Sequence, residues 1–263
     1  MTTNSYALIT GASRGIGKAL ATQLAEQKHN LILVARSEME LKSLAENLSK
    51  AHQVEVKYLI VDLAQTSAPK TIFDYCQTNQ LAVSILINNA GYALWGSFEA
   101  SSWTDQQVML QVVLNSIVET CHLFIPELKK QPKAYLMNVS SSTQYQAVPY
   151  MATYAAAKGF ILLFTRALKV ELKNSSVNVS CLVPGTTDTG FIDRAGMSDS
   201  IRKKAKQVEM TPDAVAKIAL AGMWKGKAEI IPGFINWFGA MATYFIPKAL
   251  AETIAEGIYK PGK

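Results

Sequence analysis

Tyr154 and Lys158 stand four residues apart in an apolar stretch, the spacing that brings two side chains to one face of a helix. A phenol with a pKa near 10 exchanges protons poorly at neutral pH, but a neighbouring ammonium and a positively charged ligand ring favour the phenolate. Lowering it by about three units needs roughly 4 kcal/mol of differential stabilisation. Ser141 lies thirteen residues earlier, at the carboxyl end of an expected strand, where open α/β sheets place their ligands. Its hydroxyl can bond a substrate oxygen and steady a developing alkoxide, with Ser140 and Ser142 as the alternatives beside it. The group is suited to moving a proton on or off an oxygen while another agent changes the adjacent carbon. A second pair with the same spacing, Tyr244 and Lys248, is set aside. Pro247 disfavours helix at the residue before it, and no hydroxyl-bearing strand end precedes the pair.

The other agent is signalled near the amino terminus. Thr10, Gly11, Ala12, Ser13, Arg14, Gly15, Ile16 and Gly17 fall between an apolar run and a helical stripe. Backbone amides and the helix dipole can hold a diphosphate there, and the glycines let the backbone approach it. Position after a strand and before a helix lifts this pattern above an ordinary glycine turn. At the end of the second strand, where an acid would grip the free ribose hydroxyl of NAD, stands Arg36, followed by Ser37. An acid would repel a 2′-phosphate, whereas Arg36, joined by Arg14 and Ser37, offers donors to it, so NADP(H) is the expected cofactor.

The elements that must position these groups alternate along the chain. Apolar runs at Tyr6 to Thr10, Leu31 to Ala35, Val54 to Val61, Ser84 to Asn88, Ala134 to Ser140 and Val177 to Val183 read as strands, with Ala228 to Ile231 as a further candidate. Helical stretches lie between them, including Ser67 to Asn79, Thr104 to Lys130 and Tyr154 to Lys173. Strands that are apolar throughout imply burial on both faces. The expected fold is therefore a doubly wound, mostly parallel α/β sheet with helices on both faces, Rossmann-like, in one domain over residues 1–263. Thr211, Pro212 and Asp213 mark a helix start. Residues 190–210, the most loop-like stretch, are expected to form a substrate lid, and residues 230–258 an apolar extension near the pocket or an interface.

Taken together, these residues resemble the short-chain dehydrogenase/reductase family in its compact single-domain form. The resemblance spans most of the chain and rests on ordered motifs: the TGxxxGxG turn from Thr10 to Gly17, Asp62 after the third strand, and Asn88, Asn89, Ala90 and Gly91 as NNAG. It continues through Asn115, Ser141, Tyr154 with Lys158, and the run from Pro184 through Gly185, Thr186, Thr187 and Asp188 to Thr189. It implies that Asn115 holds a water beside Lys158 and that Ser141 and Tyr154 bind the reacting oxygen. Asp62, with Leu63, would serve the adenine pocket, Asn89 would brace the sheet, and Thr189 would hold the nicotinamide amide. It also implies a homodimer or homotetramer paired through the fourth and fifth helices.

The function expected is reduction of a ketone or aldehyde by NADPH, with Tyr154 donating the proton. The alternative is a regulatory or membrane-surface protein that binds NADP(H) without turnover. Phe234, Trp237, Phe238, Tyr244 and Phe245 suggest an apolar pocket, and the tail is similar to that of family members acting on lipid-like substrates. Aromatic residues at helical spacing are nonetheless more often core or dimer contacts. Hydrophobic residues at 49% and charged residues at 17% supply a large core and argue against disorder. The net charge of +6 is spread along the chain, so nucleic-acid binding is not expected. Cys76, Cys121 and Cys181, like the three histidines, lack metal or disulfide spacing, so no metal is expected. The start lacks a secretory signal, and a cytoplasmic location is the default. Ile230 to Pro247 carries no charge over eighteen residues, the lower limit for crossing a bilayer, but its prolines and glycines favour a buried or interfacial segment.

Overall fold

The computed structural model describes residues 5–261. The first half runs β1 (Ser5–Thr10), α1 (Gly15–Glu26), β2 (Asn30–Ala35), α2 (Glu38–His52), β3 (Val56–Ile60), α3 (Ala68–Thr78) and β4 (Ala82–Asn88). There follow α4 (Trp103–Leu110), a π-helical turn over Gln111–Asn115, α5 (Ser116–Lys129), β5 (Ala134–Val139), α6 (Ala152–Glu171) and β6 (Val177–Leu182). The chain then passes through α7 (Phe191–Arg194), α8 (Asp199–Lys206), α9 (Pro212–Trp224), β7 (Glu229–Ile230), α10 (Phe234–Ala242) and α11 (Lys248–Tyr259).

Seven parallel strands pair in the order β3-β2-β1-β4-β5-β6-β7, the doubly wound arrangement expected from the unbroken apolar runs. Alternate residues of β1 feed opposite faces. Leu8 joins a core with Ile72 of α3, Phe124 of α5 and Ile161 of α6, whereas Ala7 and Ile9 join one with Leu20 of α1, Leu41 of α2 and Val215 of α9. The strand order reverses between β1 and β4, which opens a crevice at their carboxyl ends. Thr211 caps α9 as its sequence suggests, its Oγ1 accepting from the Ala214 N–H at 3.3 Å with Pro212 in the first turn.

One feature differs from expectation. The stretch from Thr104 to Lys130 is not one regular helix, because the π-helical turn adds a residue and rotates everything after it. The charge-free stretch from residue 230 is interrupted, in line with its prolines and glycines: Gly233, with φ +86°, separates β7 from the nine-residue α10, and a turn separates α10 from α11.

Candidate active site

The crevice is a cavity of about 540 Å³, lined by the expected cofactor residues outside the glycine turn and, within it, by Gly11 and Ser13 to Ile16, but not by Thr10, Ala12 or Gly17. Gly17 acts from behind. A Cβ there would sit 2.3 Å from the Gly11 carbonyl oxygen, so only glycine lets α1 pack this closely on the turn. Gly11 has φ +66°, and a Cβ on it would lie 2.8 Å from the Ala90 Cα. Arg14 begins α1 without a side-chain cap, which leaves the first helical amides free for an anion. The chain thus presents a tight, donor-rich cradle that fits a dinucleotide diphosphate. Asn89 fixes the neighbouring strand by donating from Nδ2 to the Thr10 carbonyl at 2.9 Å, while its own N–H donates to Thr10 Oγ1 at 3.0 Å.

Beyond the cradle, Arg36 projects from the end of β2 with 71% of its side chain exposed, its one ion-pair approach among the described residues being Asp62 at 4.0 Å. Arg14 pairs with Glu40 at 3.1 Å and reaches Ser37 Oγ at 3.4 Å. A third guanidinium, Arg194 of α7, lines the same cavity. Burial lowers its pKa, and Arg14 and Arg36 lower it further, so the three charges sense one another.

In the same cavity, the sheet and α6 bring together Ser141, Tyr154 and Lys158, the candidate proton-transfer group. Tyr154 and Lys158 are both buried, and the Lys158 Nζ stands 5.7 Å from the Tyr154 ring centre. That ammonium donates to the Val139 carbonyl at 2.8 Å. Ser141 Oγ accepts the Thr143 N–H at 3.3 Å, and its hydroxyl is turned toward the Tyr154 phenol, so the two groups face one point in the cleft. Ser140, by contrast, is committed, donating to the Lys158 carbonyl at 2.8 Å and so anchoring α6 to the end of β5.

Burial sets the charge states here. It pushes the Tyr154 phenol above its ordinary value, with Ser141 opposing and Tyr259 adding to the rise, and it depresses Lys158 to about 8. The downward movement of Tyr154 expected from its neighbouring ammonium is therefore not provided by the protein alone, because desolvation of the phenolate is the larger effect. The phenol rests protonated at neutral pH.

Asn115 is not brought to the cleft. It is exposed at the end of the π-helical turn and donates from Nδ2 to Gln111 Oε1 at 3.1 Å. Val113 takes the inward place instead. A Cβ on Gly91 would lie 3.5 Å from Val113 Cγ1 and 3.6 Å from Lys158 Nζ, so valine and ammonium flank the same glycine. The role expected for Asn115 beside Lys158 is thus corrected. Regular helical spacing assigns the wrong residue once a turn carries an extra one.

The aromatic tail is also placed differently. Phe234, Trp237, Phe238, Tyr244 and Phe245 are exposed and do not line the cavity. The tail reaches the cleft through Ile258 and Tyr259 at the end of α11, tied down by the Trp95 Nε1–H donating to the Tyr259 carbonyl at 2.7 Å. Phe191, Ile192, Met197, Ile201 and Val208, from the stretch expected as a lid, line the cavity as apolar side chains, with the Phe191 ring centre 5.8 Å from that of Tyr154.

A glycine cradle at the strand-order reversal, followed by serine, tyrosine and lysine at the end of β5 and along α6, defines an oxidoreductase built to use a nicotinamide dinucleotide. The short chain dehydrogenase family model matches residues 5–199, and the chain belongs to that family. It is 27% identical over 231 residues to the ketoacyl reductase HetN of Nostoc sp. strain PCC 7120, covering 87% of this chain and 78% of that one. It is 30% identical over 194 residues to a 3-ketodihydrosphingosine reductase of Bacteroides thetaiotaomicron, covering 73% and 67%. A short-chain dehydrogenase from Sphingobium yanoikuyae, solved in complex with NADPH, superposes with a TM-score of 0.81 at 25% identity, over 98% of this chain and 96% of that one.

Proposed function

We propose that this chain reduces a lipophilic ketone or aldehyde to an alcohol at the expense of NADPH. The observation that carries the reading is the continuity of one cavity, lined at once by the glycine cradle and its arginines, by Ser141 and Tyr154, and by the apolar side chains of α7 and α8. Bound NADPH would supply the hydride that the carbonyl carbon receives. Ser141 orients the carbonyl oxygen by turning its hydroxyl proton from Tyr154 to that oxygen, and Tyr154 donates to the same oxygen as negative charge develops on it. A phenol held protonated by burial is in the form a donor needs, which favours reduction as the working direction. Lys158, fixed by the Val139 carbonyl, places its positive charge beneath the Tyr154 ring and offsets the phenolate left after transfer.

Arg36 and Arg14 support the choice of the 2′-phosphorylated cofactor, since a doubly charged group at the end of β2 would meet an exposed guanidinium there. Helices α7 and α8 act as a lid over the substrate end. The apolar lining suits a ketone carried on a chain or ring system, in keeping with the ketoacyl and ketosphingosine reductases the chain is similar to. Phe160, Leu163 and Val170 on the exposed face of α6 support pairing of two copies, which sedimentation at micromolar concentration tests.

The test is NADPH oxidation by the purified protein with a carbonyl panel that includes 3-oxoacyl thioesters, long-chain 2-ketones and steroid ketones. Consumption with at least one lipophilic carbonyl, abolished in Tyr154→Phe, is expected. Absence of turnover across the panel, or a Tyr154→Phe variant as active as the wild type, overturns the reading.

A further inference from the structure

The geometry points to Arg194 as a clamp for the cofactor diphosphate, so that the cofactor rather than the substrate is what closes α7 over the cleft. This rests on the nicotinamide-dinucleotide reading of the cavity and adds to it a binding residue outside the glycine turn.

Three observations carry it. Arg194 lines the cavity that Arg14 and Arg36 also line, yet among the described residues it has no carboxylate partner. The nearby acids are engaged elsewhere: Glu40 with Arg14, Asp62 with Arg36, and Asp193, its own neighbour on α7, with Arg202. What Arg194 does contact is the Thr189 carbonyl, which accepts from its Nη2 at 3.3 Å. The Arg194 side chain is solvent-exposed yet borders the cavity, and among the described residues it holds one carbonyl while sensing two like charges, which leaves its remaining N–H groups available to an anion in the cleft.

Its position selects the anion. Thr189 packs directly over Gly15, where a Cβ would meet Thr189 Cβ at 2.8 Å, and Gly15 opens α1 beside the uncapped Arg14. Arg194 is therefore joined through Thr189 to the free amides at the start of α1, whereas the end of β2, where a 2′-phosphate would sit, is served by Arg36 and Ser37. A diphosphate at the helix start would receive backbone donors from below and a forked guanidinium from the α7 side. Because Arg194 is the last residue of α7, filling that site fixes the element that supplies Phe191 and Ile192 to the substrate wall.

The experiment compares Arg194→Met, Arg194→Lys and Arg36→Ala by fluorescence titration with NADPH and with NADH, and by hydrogen exchange over residues 191–206 with and without NADP+. Arg194→Met is expected to weaken both cofactors by the same factor, about tenfold, and to lose the slowing of exchange that NADP+ brings to α7. Arg194→Lys should recover part of the affinity, and Arg36→Ala should weaken NADPH alone. Unchanged affinity in Arg194→Met, or a loss confined to NADPH, overturns the clamp while leaving the cofactor reading intact. A wild-type protein that binds neither dinucleotide overturns both.

Discussion

Replacing Lys158 by methionine keeps an unbranched side chain of similar length but removes the charge, and the structure sets what that does to stability. In the fold, burial depresses the ammonium from 10.5 to about 8, whereas the unfolded chain titrates at the ordinary value. Below pH 8 the lysine is protonated in both states, and the folded state bears the full cost of the buried charge. Between pH 8 and 10.5 the unfolded chain binds the proton more tightly, so stability rises with pH and the cost is relieved. A depression of this size corresponds to a wild-type gain, relative to methionine, of about 2–3 kcal/mol between pH 7 and pH 10. Methionine also strands the Val139 carbonyl, a loss of about 1–3 kcal/mol that does not depend on pH and so offsets the gap without changing its slope. Urea denaturation of both proteins at pH 7 and pH 10, without cofactor, measures the double difference, in which titrations elsewhere in the chain cancel. The variant's relative stability should fall across that interval. A gap that stays constant refutes the burial argument, and with it the low affinity of Lys158 for its proton.

Further outcomes follow from the same geometry. Tyr154→Phe should lower carbonyl turnover by about 10²–10⁴-fold with NADPH affinity unchanged, as initial rates and titration would show. Gly17→Ala drives a Cβ into the Gly11 carbonyl oxygen and should cost about 1–3 kcal/mol of stability, along with cofactor affinity, read by thermal unfolding with and without NADP+. Asn115→Ala should leave turnover at the wild-type level, since that amide faces away from the cleft; a large fall in kcat would reinstate it in the reaction. Trp95→Phe removes the N–H that holds the Tyr259 carbonyl and should raise KM for lipophilic carbonyls more than it lowers kcat.

The sheet and the gathering of Ser141, Tyr154 and Lys158 in one cleft were legible because their signals are local. Apolar runs of strand length, glycines at a strand-helix junction, and a tyrosine and lysine one helical turn apart each depend on a few adjacent residues. What escaped depends on geometry that no short window records. Asn115 was misplaced because the chain takes a π-helical turn between α4 and α5, and nothing in its five residues announces it. Arg194 went unremarked because its meaning lies in two arginines far away in sequence. Tyr259 reaches the cleft by docking of α11 on Trp95, while the more hydrophobic Phe234 to Phe245 stretch, which composition favours for the pocket, faces outward.

The order of the sheet also bears on how the chain is made. Strand β1 is made before β4 yet lies inside the sheet, flanked by β2 and by β4, whose residues begin only at Ala82. Until that later segment emerges, one flank of a hydrophobic strand stays open to any passing polypeptide. Synthesis stalled before Ala82 should therefore yield aggregation-prone fragments, and chains extended beyond Asn88 should be protected.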